Sequence, residues 1–254
     1  MPELSVITCT SDRPQAFALC KRWMRRQTMP QERIEWICVD DGEHVADVQW
    51  PAWHLPLPPQ SAAKESFRQN MLAGLVACTG DKIAILEDDD WYHPDYLSLM
   101  SALLDIREIV GCARARYYNL RHRLWRVHPN TAHASLSTTA FSRSLLPTAI
   151  KILKDCNFTR PENPEQLDGT LWKRSGIPDM LKLLLPESPH VVSIKGMPGK
   201  AGLGIDHSRA EILSGRSSGG RRVYKHDQTG DKLREWIGDD ARFYERFAQP
   251  TEAA

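Results

Sequence analysis

The chain has 254 residues, of which 41% are hydrophobic and 26% charged, with a formal net charge of +1. That length and balance support one substantial globular core and exclude a disordered or fibrous chain. No apolar run reaches the length of a membrane span and the N-terminus lacks a signal-peptide pattern, so no membrane span and a cytoplasmic location are expected. Cys9, Cys20, Cys38, Cys78, Cys112 and Cys156 are scattered without zinc-type spacing and are read as reduced core residues.

In chain order, Leu4 to Thr10 reads as a first strand and Gln15 to Gln27 as an amphipathic helix. Ile34 to Val39 is a second strand ending in Asp40-Asp41-Gly42, followed by a proline-rich connection over Trp50 to Pro59 that reads as irregular and partly extended. Ser66 to Cys78 is helical and stops at Thr79-Gly80-Asp81. Lys82 to Leu86 is a short apolar strand that ends abruptly in Glu87-Asp88-Asp89-Asp90, and a helix follows from about Pro94 to Leu104. This alternation predicts a sheet covered by helices on both faces, with functional groups at the carboxyl ends of strands. Beyond Val110 the pattern changes to a hairpin over Cys112 to Val127 and a short strand within Leu136 to Arg143. Helices follow at Leu145 to Lys154 and Leu167 to Arg174, then a last strand at Val191 to Ile194. A glycine-rich stretch, a mobile basic loop over Ser214 to Arg222 and a terminal amphipathic helix, Lys232 to Phe247, complete the chain.

Four adjacent carboxylates repel one another, and a divalent cation removes that repulsion; hard oxygen ligands suit Mg²⁺ or Mn²⁺ carrying substrate phosphates. A solvated acidic turn ahead of a helix is the plainer alternative, and an EF-hand lacks its required glycine. Charge is also segregated. Ile109 to Lys154 contains no acid but carries Arg114, Arg116, Arg121, Arg123, Arg126 and Arg143, interleaved with Tyr117, Tyr118 and Trp125. Such a surface suits an anion, including nucleic acid, unless its arginines merely ride exposed strand faces.

The pieces Val6 to Pro14, Ile37 to Gly42, Arg68-Gln69-Asn70 with Gly80-Asp81, Leu86 to Asp90 closed by Pro94, and Asp168 to Arg174 occur in order over about the first 175 residues. Together they resemble the GT-A glycosyltransferases, most similarly the inverting family 2 enzymes. The resemblance implies an α/β, Rossmann-like fold with a mostly parallel central sheet and a C-terminal helical extension. It implies a transferase domain over 1–210, with a nucleotide-sugar half over 1–108 and an acceptor half over 109–210, ahead of the loop and helix over 211–254. Asp88 and Asp90, with His207, would hold Mn²⁺ or Mg²⁺; Thr8, Thr10, Arg13, Asp40, Asp41, Arg68, Asp88 and Asp89 would bind the nucleotide-sugar, a UDP-sugar being favoured. Asp168 would be the base of a single inverting displacement. Arg114, Arg116, Tyr118 and Trp172 would meet the acceptor, read as a polyanion such as hydroxymethylated DNA or, alternatively, a polysaccharide or lipid-linked glycan. Two readings from other classes stand beside it. A sugar-phosphate nucleotidyltransferase would need a glycine-rich loop that Thr10 to Pro14 lacks. A non-catalytic polyanion- or nucleotide-sugar-binding module on a degenerate transferase fold would need neither metal nor base.

Overall fold

A computed structural model describes residues 2–48, 52–60, 62–155, 167–174, 176–199 and 224–248. The first strand, β1 (Leu4–Thr10), lies between β2 (Ile34–Asp40) and β4 (Lys82–Ile85) and is parallel to both. Its near-total burial follows from that central position, because a parallel strand with helices on both faces has no solvent side. β3 (Ala52–Pro56) extends this group at the edge, parallel to β2. The proline-rich connection therefore contains a strand. Proline is tolerated there because an edge strand leaves one row of N–H groups unpaired.

Helix α1 (Pro14–Arg25) starts with proline in its first turn, where no intrahelical donor is needed, and ends with Arg22 and Arg25 in the last turn. It buries Phe17, Leu19, Cys20, Trp23 and Met24 on one face of the sheet, beside α3 (Tyr96–Leu104). On the other face lie α2 (Ala63–Ala77), α4 (Leu146–Asp155) and α5 (Leu167–Arg174). Gly74 lets α2 sit close: a Cβ there would come within 2.6 Å of the Ile7 side chain. Cys9, Cys20, Cys38, Cys78 and Cys112 are free thiols, all but Cys9 buried.

The strands beyond residue 108 depart from expectation. β6 (Ile109–Cys112), β9 (Thr139–Ser142) and β10 (Lys182–Leu185) join the first group, giving a seven-stranded sheet in the order β10-β6-β9-β4-β1-β2-β3, with β9 antiparallel to both neighbours. The predicted hairpin, β7 (Arg116–Asn119) and β8 (Leu124–Val127), turns away instead. With β5 (Trp91–Tyr92), β11 (Val191–Lys195) and β12 (Lys225–His226) it forms a separate mixed sheet in the order β12-β8-β7-β11-β5. This corrects the expectation of a GT-A, family 2-like layout built on one mostly parallel central sheet. Among the described residues the protein is α/β with two sheets, because the segment after the acids pairs with the distant β11 rather than continuing β4. The terminal helix is likewise divided, into α6 (Asp231–Ile237) and α7 (Ala241–Glu245), with Gly238 at φ +58° between them. Among the described residues no helix is long and apolar enough to cross a membrane.

Candidate functional site

The carboxyl ends of β1, β2 and β4 lie side by side, and β11 brings its last residues to the same edge from the second sheet. Asp88, Asp89 and Asp90 are almost wholly buried there, at 2%, 1% and 0% exposure. A solvated acidic turn is therefore ruled out. Burial of so many carboxylates demands cations and donors, and the chain supplies both. Thr10 Oγ1 donates to Asp88 at 2.8 Å, while Arg13 spans two acids, Nη1 to Asp88 at 2.7 Å and Nη2 to Asp89 at 2.6 Å. Asp12 sets up this reach: it adopts φ +49°, and its carboxylate accepts the backbone N–H groups of Glu43 and His44.

Asp90 is held by the second sheet. It accepts from Ser193 Oγ and the Ile194 N–H, each at 2.9 Å. Lys195 Nζ then lies 3.0 Å from Glu87 Oε2, 3.4 Å from Asp90 Oδ1 and 3.6 Å from Asp89 Oδ1. Burial alone would lower the Lys195 ammonium, but Asp89, Asp90 and Glu87 hold it well above its ordinary range. Burial pushes the Asp90 carboxyl well up despite that lysine, and raises Asp88 against the pull of Arg13. Glu87, Asp89 and Asp90 each offer one carboxylate oxygen within 4.8 Å of the others. An all-oxygen set at this spacing can hold a hard divalent cation such as Mn²⁺ or Mg²⁺. Of the expected ligands, Asp90 belongs to this set, Asp88 faces Thr10 and Arg13, and His207 lies outside the described residues, as does the basic loop over Ser214 to Arg222.

The other expected nucleotide contacts are divided. Thr8 is fully buried and its hydroxyl accepts from the Trp36 indole at 3.0 Å, a bond between β1 and β2 beneath the site. Asp40 accepts from the Gly42 N–H at 3.0 Å and the Ala46 N–H at 2.7 Å, so its carboxylate braces its own loop. Asp41 is fully buried and accepts from Asn70 Nδ2 at 2.8 Å. Arg68 pairs along α2 with Glu65.

Asp168 stands in the first turn of α5, where its Oδ1 accepts the Gly169 N–H at 2.7 Å. Burial raises its carboxyl to about 6, against that hydrogen bond and with a contribution from the charge of Glu87. A carboxyl tuned toward neutrality beside an acidic cluster is suited to proton transfer. Among the expected acceptor residues, Trp172 is buried, donates to Thr139 Oγ1 at 3.1 Å and packs on Gly111, where a Cβ would meet its ring at 2.9 Å. Tyr118 is buried too, donating to Asp227 at 2.9 Å. Arg116 stacks over the Trp236 ring at 5.5 Å, and Arg114 is exposed with φ +50°. Sequence reasoning missed Lys195 and Ser193. The only available signal was a lysine directly after the apolar run Val191 to Ile194.

No family model matches the chain, and no curated protein matches it in sequence. Solved structures do match in fold. The structure of S. aureus TarS has a TM-score of 0.52 at 14% identity over 76% of this chain and 36% of that one. TarS 1-349 in complex with UDP gives 0.54 at 13% identity, over 76% of this chain and 60% of that one. The mannosyltransferase PcManGT from Pyrobaculum calidifontis, in complex with GDP-Man and Mn2+, gives 0.52 at 14% identity over 97% of this chain and 73% of that one. The chain thus spans about a third of the TarS structure, and at these identities the likeness is one of fold.

Proposed function

We propose that this protein is a metal-assisted glycosyltransferase that moves a sugar from a nucleotide-diphosphate sugar to an acceptor hydroxyl. The observation that carries the reading is the buried carboxylate cluster at the edge of β4. It can hold a divalent cation, and it sits in a fold shared with structures solved with UDP, with UDP-GlcNAc, and with GDP-Man and Mn2+. A cation on Glu87, Asp89 and Asp90 would supply charge neutralisation for the leaving diphosphate. The chain's own part is to fix that set: Ser193 and the Ile194 N–H orient Asp90, and Arg13 orients Asp88 and Asp89.

Asp168 acts as the base, taking the acceptor's proton as its oxygen attacks the anomeric carbon from the face opposite the diphosphate. One base suffices for one displacement, which inverts the anomeric configuration. Residues 1–108 are the donor half, and residues 109–210 contribute the acceptor side and Asp168. The acceptor is a glycan rather than DNA. Two arginines of the acid-free stretch are committed to rings of this chain, Arg126 over Tyr117 and Tyr224 and Arg116 over Trp236, rather than presented as part of a phosphate-binding row. Calorimetry with a panel of UDP- and GDP-sugars, with Mn²⁺ and with EDTA, tests the reading. Binding of one donor that EDTA abolishes is expected; no binding of any donor under any condition would sink it.

A further inference from the structure

The carboxylates that can hold a metal are not waiting bare. Glu87, Asp89 and Asp90 already share one positive charge, the Lys195 ammonium, which is 5% exposed and lies 3.0 to 3.6 Å from an oxygen of each. Arg13 occupies the other side of the row through Asp88 and Asp89. A divalent ion binds carboxylate oxygens at about 2.1 Å, so it and an ammonium held by the same three residues would face each other a few ångströms apart in a site with little water. Like charges at that separation repel strongly when buried. The lysine's backbone cannot yield, because its carbonyl accepts the Leu120 N–H at 2.8 Å and the next residue, Gly196, turns at φ +82° against Asn119 and Arg121. Its four-carbon stem can.

We infer that Lys195 is the resident cation of this cluster and an intramolecular competitor of the metal: a divalent ion enters by displacing the Lys195 ammonium from Glu87, Asp89 and Asp90. Metal loading is then an exchange of one bound cation for another, and the apo site keeps its shape because the lysine stands in. The displaced ammonium stays tethered at the rim, where a diphosphate arriving with the metal gives it a new anionic partner; this last step rests on the transfer reading above.

Two measurements with the metal alone test the exchange. First, acylation of wild-type lysines is followed by mass spectrometry with and without Mn²⁺. Lys195 should be protected in EDTA and gain at least ten-fold in reactivity at saturating Mn²⁺, while the exposed lysines do not change; an unchanged Lys195 rate would overturn the proposal. Second, Mn²⁺ binding is titrated by electron paramagnetic resonance in wild type, Lys195→Met and Lys195→Arg. Lys195→Met should bind at least ten-fold more tightly than wild type and melt at a lower temperature in EDTA, with Mn²⁺ restoring it, whereas Lys195→Arg should bind no more tightly than wild type. Removing any positive charge tightens Mn²⁺ somewhat, so displacement itself is read from the labelling, which also decides the matter if Lys195→Met does not fold. Equal Mn²⁺ affinity in wild type and Lys195→Met would overturn it. Donor binding is scored separately. Exchange without any nucleotide-sugar binding would remove the transferase reading and leave the competitor, and the reverse result would do the opposite.

Discussion

Two regions of this molecule gather charge, and they manage it in opposite ways. At the edge of β4 the charged groups come from distant parts of the chain: Arg13 from the turn before α1, the acids from the end of β4, and Lys195 from β11. There carboxylates outnumber the cations beside them, and Asp88, Asp89, Asp90 and Lys195 are buried. In the second sheet, by contrast, Arg126 lies over Tyr117 and Tyr224, Arg116 over Trp236, and Lys225 and Lys232 over Trp125. Those cations lie against rings of their own chain rather than against one another's counter-charges in a buried cluster. Charge density along the sequence therefore misleads, and what distinguishes a site from a surface is whether burial leaves the charges wanting a further ion.

The comparison can be broken most severely at Asp168. Asp168→Asn should lower the rate of transfer by ~10²–10⁴-fold while donor binding by calorimetry is kept; an active Asp168→Asn protein would remove the base. Next in size, Arg13→Met strips a buried cation from Asp88 and Asp89 and should cost ~3–5 kcal/mol in urea unfolding, the range for a broken buried pair. In the second region, Arg126→Ala should cost only about 1 kcal/mol, since its two ring contacts are partly solvated. The sharpest contrast within the expected acceptor set is Trp172→Ala, at ~3–5 kcal/mol for an emptied core position, against Arg114→Ala, within about 0.5 kcal/mol.

A pH series adds a signed test. Asp168 is raised to about 6, so a base there must lose its proton and activity should climb with pH through about 6. The same shift costs stability as pH rises. The folded protein holds this proton more tightly than the unfolded chain, so the contribution is full below the ordinary carboxylate range and is lost by about pH 6. Asp168→Asn should accordingly melt slightly higher than wild type at pH 7, and a lower melting temperature would mean that the ionised carboxylate is structurally required.

Local pattern made part of this legible. β1, β2, β4 and α1 have strong apolar periodicity, and Glu87 to Asp90 stood out because nothing in a plain strand end calls for four acids. β3 was hidden by prolines that only an edge position permits, and β5, at two residues, is too short to carry a period. The hairpin and the strand at Val191 were legible, but their assembly into a second sheet was not, for a deeper reason. Its strands pair Trp91-Tyr92 with Val191-Val192, about a hundred residues apart, and such pairings leave no local trace. Lys195 was missed with them, because a lysine after a strand signifies nothing until the acids it meets are known. Of the residues expected at the acceptor, Tyr118 and Trp172 are aromatic and near arginines, and their polar atoms bond inside the core, a placement that local sequence does not reveal.

The short helices beyond Gly230 have a consequence for biosynthesis. The Trp23 indole donates to the Tyr244 hydroxyl at 2.8 Å, and Trp91 and Arg26 both bond to Asp240. Helix α1 is thus covered by residues that are made long after it, Tyr244 following Trp23 by 221 positions. At ~5–20 residues per second, α1 spends on the order of ten seconds or more with its tryptophan face open before α7 is synthesised. During that interval the nascent chain exposes an apolar helix face, the kind of surface that invites aggregation, and co-expression of a holdase chaperone should raise the soluble yield.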